Sequence, residues 1–140
     1  MRLVIDTNVI VTAMRSPAGA SAEVLRQARL GRLTPLASVA LAIEYQDVCL
    51  RDVHGAAAGL TRPEVKQFLD AILAMVEPVN IWFLWRPQLR DAGDELVLEA
   101  AANGRAQAIV TFNLRDFLPA AKQFGVALWT PIQVVTKLNA

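Results

Sequence analysis

Apolar residues fall along this chain in two rhythms, short unbroken runs and stretches that repeat every three or four positions, and each change of rhythm marks a new element. The first run, Leu3-Val4-Ile5, stops at Asp6-Thr7-Asn8 before apolar residues resume at Val9-Ile10-Val11. Consecutive branched side chains bounded by a polar cluster predict a strand covered on both faces, as at the centre of a parallel sheet. Ala18 to Ser21 reads as a loop ending in an N-cap, followed by a short helix with Val24, Leu25 and Ala28 on its apolar stripe and Gly31 at its end. Leu33 to Ala37 predicts a second strand. Ser38 then caps a helix of about 14 residues in which Leu41, Tyr45 and Val48 share a face, with Glu44 flanking that stripe.

The Ala- and Gly-rich stretch His54 to Thr61 reads as a turn or weak helix end. Thr61-Arg62-Pro63-Glu64 is a capping box that opens a helix with Val65, Phe68, Leu69, Ile72 and Val76 on one face. Pro78 ends it, Val79 to Phe83 is a third strand or apolar connector, and Arg86-Pro87 to Ala92-Gly93 is loop. Asp94 stands in the first turn of a helix stopped by Asn103-Gly104, with Glu95 and Glu99 projecting together. Ala108 to Thr111 predicts a buried strand and Phe112 to Phe117 a polar turn. Val126 to Trp129 is a last strand, and Thr130-Pro131 opens a C-terminal helix. Strands alternating with helices make the fold class α/β, a largely parallel sheet with helices on both faces.

Composition narrows the class. At 140 residues the chain fits one domain, residues 1–140. Apolar residues make up 54%, yet no run approaches the roughly 18 residues of a spanning helix. No signal peptide is recognisable, so the expected location is cytoplasmic with no membrane partner. The single cysteine, Cys49, rules out an internal disulfide and a cysteine-based zinc site. A net charge of +1 gives little overall attraction to nucleic acid, so such binding needs a local patch. Eleven arginines against three lysines suit phosphate recognition, or reflect a GC-rich genome.

The sheet topology directs the ends of several strands to one edge, where open α/β sheets bind ligands. Asp6 follows the first strand, Thr111 and Asn113 follow the strand at Ala108, and Asp94 starts the helix that feeds it. Asp6 is either a ligand there or the N-cap of the following helix. Glu44, Asp91 and Asp116 complete the acidic candidates, with Asn113 as a neutral oxygen donor. Carboxylates gathered in one cleft stay ionised together only when a cation neutralises them. Oxygen donors without cysteine suit Mg²⁺ or Mn²⁺, and ions so held hydrolyse phosphodiesters by activating water and stabilising the leaving oxygen. Equally, a carboxylate such as Asp94 at a helix start serves as cap or dipole partner.

Four segments together resemble the PIN-domain ribonucleases, in particular the toxin-like bacterial members related to VapC. They are Leu3-Val-Ile-Asp6-Thr7-Asn8-Val9, Ser38 to Tyr45, Arg90-Asp91-Ala-Gly-Asp94-Glu-Leu-Val-Leu-Glu-Ala-Ala, and Ala108-Ile-Val-Thr111-Phe-Asn113-Leu-Arg-Asp116-Phe. The resemblance spans almost the whole chain and implies a three-layer sandwich around a mainly parallel sheet of four to five strands. It implies a Mg²⁺-dependent endonuclease of single-stranded RNA, with Mn²⁺ able to substitute. Asp6, Glu44 and Asp94 would be the core metal-binding acids and Asp116 a fourth, with Thr7, Asn8, Asp91 and Thr111 supporting. Asn113 departs from the family pattern, where many members have Asp; it keeps an oxygen ligand and removes a charge. The resemblance further suggests a homodimer and a cognate antitoxin.

Arg86, Arg90 and Arg115 lie near the motif loops and are candidates to grip the phosphate backbone. Trp82 and Trp85 either stack unpaired bases or pack in the core or a dimer. His54 stands apart from every motif and reads as a surface residue. A haloacid-dehalogenase-like phosphatase also begins with Asp after its first strand, but needs a second Asp where Asn8 stands. The non-enzymatic alternative is a catalytically weakened PIN fold that binds RNA or protein.

Overall fold

The computed structural model describes residues 1–84, 89 and 91–140. At its centre is β1 (Arg2–Ile5), whose Leu3, Val4 and Ile5 are at most 1% exposed. Such burial needs cover on both faces and hydrogen-bonded neighbours on both edges. Parallel strands β2 (Thr34–Ala37) and β4 (Ala108–Val110) supply the edges, and β3 (Glu77–Pro78) and β5 (Ala127–Trp129) extend the sheet outwards. The result is a five-stranded, all-parallel sheet in the order 3-2-1-4-5.

Parallel neighbours require crossovers, which here are α1 (Thr7–Arg15) and α2 (Ala20–Arg29), then α3 (Val39–Cys49), α4 (Asp52–Ala58) and α5 (Arg62–Met75). α6 (Ala92–Asn103) leads into β4, α7 (Leu114–Phe124) into β5, and α8 (Pro131–Leu138) follows. Right-handed crossovers direct the β1 to β2 connection to one face and the β3 to β4 and β4 to β5 connections to the other. α6 lies across β1, β2 and β4 beside α7, while α3 touches both α1 and α6. The chain therefore reverses its winding between β1 and β4, the position at which doubly wound sheets open a crevice at their C-terminal edge. Among the described residues, no helix is long and apolar enough to cross a membrane.

Local signals and structure agree where a cap is spelled out. Thr61 accepts from the Glu64 amide while the Glu64 side chain returns to the Thr61 amide, as the capping box predicts. Ser38 caps α3 by accepting from the Leu41 amide at 3.1 Å. Of the two readings of His54 to Thr61, turn or helix end, the second holds: residues 52–58 form α4, packed on α1 and α3 and stopped by Gly59 at φ 69°. Elsewhere the structure corrects the expectation. The stretch Phe112 to Phe117 runs into an 11-residue helix with Pro119 inside it. The bond lost at Pro119 is offset by the burial of Phe117, Ala120 and Ala121 and by Gly125 at φ 68° as C-cap. The third strand lies at Glu77–Pro78 and not at residues 79–83; as an edge strand it tolerates proline. Ser21 is inside α2, whose N-cap is Gly19.

Candidate active site

The site begins with one residue on each side of the switch point. β1 and β4 run in register to Ile5 and Val110, and the Asp6 amide donates to the Val110 carbonyl at 2.9 Å. That pairing sets Asp6 beside Thr111, whose hydroxyl donates to Asp6 Oδ2 at 2.7 Å. The Thr111 oxygen in turn accepts from the Asn113 amide at 2.9 Å, so its orientation is fixed from both sides. Asp6 occupies the N-cap position of α1, yet its side chain makes no capping bond; its carbonyl receives the Val9 and Ile10 amides instead. The cap and ligand alternatives are thus reconciled, since the backbone caps while the 4%-exposed carboxylate is left for other work.

α3 brings Glu44 to the same edge. Its neighbour Tyr45 is buried and donates its hydroxyl to the Ile5 carbonyl, the last of β1, which ties α3 to the strand end that carries Asp6. Across from it, Asp91 caps α6, accepting from the Gly93 amide at 2.7 Å and the Asp94 amide at 3.2 Å. Asp94 sits in the helix's first turn, as its sequence position suggested. Gly93 lets these groups meet: a Cβ there would lie 3.2 Å from Glu44 Oε1 and 3.0 Å from Asp91 Oδ1.

These side chains line a cleft of about 260 Å³ formed by Asp6, Thr7, Asn8, Val11, Glu44, Val48, His54, Asp91, Gly93, Asp94 and Asn113. Thr111 stands behind it, fully buried against Asp6. Asp116 and Arg115 are exposed on the first turn of α7 and do not line the cleft. Arg86, Arg90 and Trp85 lie outside the described residues. Trp82 is on the surface, its amide held by Asn103 at the far end of α6, about 18 Å of helix away from Ala92. Base stacking at the cleft by Trp82 is accordingly not supported, nor is core packing. His54 corrects the sequence reading in the other direction, since α4 carries it into the cleft wall. Nothing in local periodicity signalled this, because α4 has no apolar stripe. A larger groove of about 510 Å³ between α1, α2 and α5 is lined mainly by apolar side chains, with Arg26 and Arg29 as its charged groups, and offers no comparable chemistry.

The sequence pattern of the PIN domain family matches residues 2–115, a span that holds every residue lining the cleft. The chain belongs to the PIN-domain family. No curated protein sequence matches it. Among solved structures it is similar to a chain of VapBC2 from Rickettsia felis, determined bound to a DNA fragment from the promoter of that pair. The two share 17% identity over 93% of this chain and 98% of that one, with a TM-score of 0.61, a likeness of fold.

Electrostatics give this PIN domain's cleft its character. Among the described residues none of Asp6, Glu44, Asp91 and Asp94 forms an ion pair; the ion pairs present are Arg2 with Glu77 and Arg26 with Glu23. Burial raises the Asp6 carboxyl above the usual carboxylate range, against the lowering effect of the Thr111 hydroxyl and the Thr7 amide, and Asp91 and Glu44 raise it further. Asp94 is pushed up to about 7 by desolvation and by Asp6, Asp91, Asp116 and Glu95. Both shifts express a surplus of negative charge in a partly dry space. Asn8 Oδ1 adds a buried acceptor with no hydrogen-bond partner among the described residues. Among the described residues, no three His, Cys, Asp or Glu side chains are close enough to form a ready-made metal cage.

Proposed function

We propose that this PIN domain, residues 1–140, is a metal-dependent endoribonuclease that hydrolyses phosphodiester bonds of single-stranded RNA. The observation that carries this reading is the set of carboxylates from β1, α3 and α6 meeting at the switch point without a positive partner among the described residues. A hard divalent ion, Mg²⁺ or Mn²⁺, fits the donors: all are oxygens, Asp6 and Asp94 resist ionisation unless neutralised, and Asn8 Oδ1 is unpartnered among the described residues. Asp6, Glu44 and Asp94 would hold it, with Asn8 and Asn113 as neutral oxygen donors and Asp116 supporting from the rim. Bound there, such an ion supplies Lewis acidity towards phosphate and lowers the pKa of water.

The protein's own groups divide the remaining work. Thr111 and the Thr7 amide favour the ionised form of Asp6 against the opposing effect of its burial, and the Thr111 hydroxyl fixes its direction. Asp91 orients the start of α6 and hence Asp94. The acids also repel phosphate from the cleft wall, so RNA approaches only where that charge is neutralised. Arg115, exposed on the first turn of α7, would hold the flanking backbone, together with Arg86 and Arg90.

The biological setting that best suits the fold is the toxin of a type II toxin–antitoxin pair, acting as a homodimer with a cognate antitoxin in the cytoplasm. The likeness to a chain of the Rickettsia felis VapBC2 pair supports this reading. The second reading, a weakened PIN fold that binds RNA or protein, is favoured by Asn113, which removes one negative charge from the cleft. Asp6→Asn separates them. The parent is expected to cleave single-stranded RNA with Mg²⁺ or Mn²⁺ and to arrest growth when expressed, and the variant to lose cleavage by at least about 100-fold and to relieve the arrest. Absence of metal-dependent cleavage by the parent removes the nuclease reading.

A further inference from the structure

One group in the cleft wall belongs to none of the motifs that define it. α4 packs on α1 and α3 and thereby brings His54 into the lining of the cleft. Two facts distinguish this histidine from a packing residue. Its Nδ1 is buried without a hydrogen-bond partner among the described residues, so that nitrogen neither ties the ring to the fold nor reaches a ligand, and Nε2 is the nitrogen left to meet one. Furthermore, the titratable groups lining the cleft among the described residues are Asp6, Glu44, Asp91, Asp94 and His54. Four of them repel a phosphate. Among the described residues of that lining, His54 has the one basic side chain, able to offer an N–H of positive or neutral character to an anionic oxygen.

We infer that His54 is a substrate-binding residue, whose imidazole N–H donates to a non-bridging phosphate oxygen of the RNA strand lying in the cleft. This rests on the nuclease reading above and adds a second anchor to it: cations neutralise the acids on the α6 side, and His54 takes the phosphate from the α4 side. The assignment also gives α4 a function, since a seven-residue helix without an apolar stripe otherwise contributes little beyond packing.

The test compares the parent with His54→Phe, which keeps a ring of similar shape and removes both nitrogens, and with His54→Gln, which restores an N–H donor. Binding of a fluorescein-labelled single-stranded RNA is followed by anisotropy in Ca²⁺, alongside steady-state cleavage in Mn²⁺, with circular dichroism as the check on folding. His54→Phe is expected to bind about tenfold more weakly and to raise KM by a similar factor with kcat little changed, and His54→Gln to recover most of the loss. If His54→Phe does not fold, His54→Ala replaces it with the same expectation. Binding within about twofold of the parent by the folded Phe or Ala variant overturns the assignment while parent cleavage keeps the nuclease reading intact. A parent that binds RNA without cleaving it refutes the nuclease reading, and the anisotropy comparison still decides His54. A parent that neither binds nor cleaves refutes both.

Discussion

Asp6 and Thr111 show how one residue pair sets the character of this cleft. Thr111 has one proton and gives it to Asp6, while its oxygen is held by the Asn113 amide, so its hydroxyl supports an acid and organises the loop after β4 at once. Thr111→Val keeps the shape and deletes both bonds, leaving an Asp6 oxygen unpaired in a buried place and the part-buried Asn113 amide without its partner. The expected cost is about 1–3 kcal/mol of stability together with a fall in cleavage rate, and Thr111→Ser restores both. Thermal unfolding and kcat of the two variants check this; a Val variant as stable and active as the Ser variant contradicts it. At this scale the sequence was informative about identity and poor about surroundings. Asp6 is legible because a carboxylate directly after three buried branched residues has to stand at a strand end. His54 was not, because its place depends on how α4 packs against α1 and α3, which local spacing does not encode.

Among the elements, α6 has the strongest influence on the site. Its start gathers the Asp91 cap, the small Gly93 and the Asp94 carboxylate within a single turn, and Glu44 from α3 lies against the gap that Gly93 leaves. Gly93→Ala therefore separates stability from function. Alanine gains up to about 1 kcal/mol in helix propensity, while its Cβ forces Glu44 and Asp91 aside. The expected outcome is an unfolding temperature equal to or above that of the parent, with the Mn²⁺ concentration needed for half-maximal activity raised about tenfold. Unchanged metal dependence shows that Glu44 takes no part in holding the ion. Elements with written caps, α3, α5 and α8, were readable in the sequence because Ser38, Thr61 and Thr130 supply oxygens for first-turn amides. α4 and α7 were not. The first lacks an apolar rhythm, and the second carries Pro119, whose local cost is outweighed by the tertiary burial of Phe117.

For the molecule as a whole, the sheet order brings β1 and β4 side by side although more than a hundred residues separate Asp6 from Thr111. Alternation of strand and helix foretold the parallel sheet, but not the place of β3, a two-residue edge strand too short to carry a pattern. Gathering acids at the switch point makes the metal-free protein sensitive to pH. Asp94 moves from an ordinary 3.8 to about 7 and Asp6 shifts in the same direction, so between these values the folded chain holds protons that the unfolded chain has released. Stability is then fully present below about pH 4 as far as these groups are concerned, falls as pH rises towards 7, and levels off above. In EDTA the unfolding temperature is expected to drop between about pH 5 and pH 7.5, and saturating Mg²⁺ to oppose the drop, because the ion binds the ionised acids. A flat or rising profile in EDTA contradicts the charge surplus. The most direct measurement of the central claim is anomalous scattering from a crystal of the protein soaked in Mn²⁺. The account predicts a peak in the cleft with carboxylate oxygens of Asp6 and of Glu44 or Asp94 at roughly 2.0–2.5 Å. An empty cleft at saturating Mn²⁺, or an ion bound elsewhere without contact to Asp6, contradicts it.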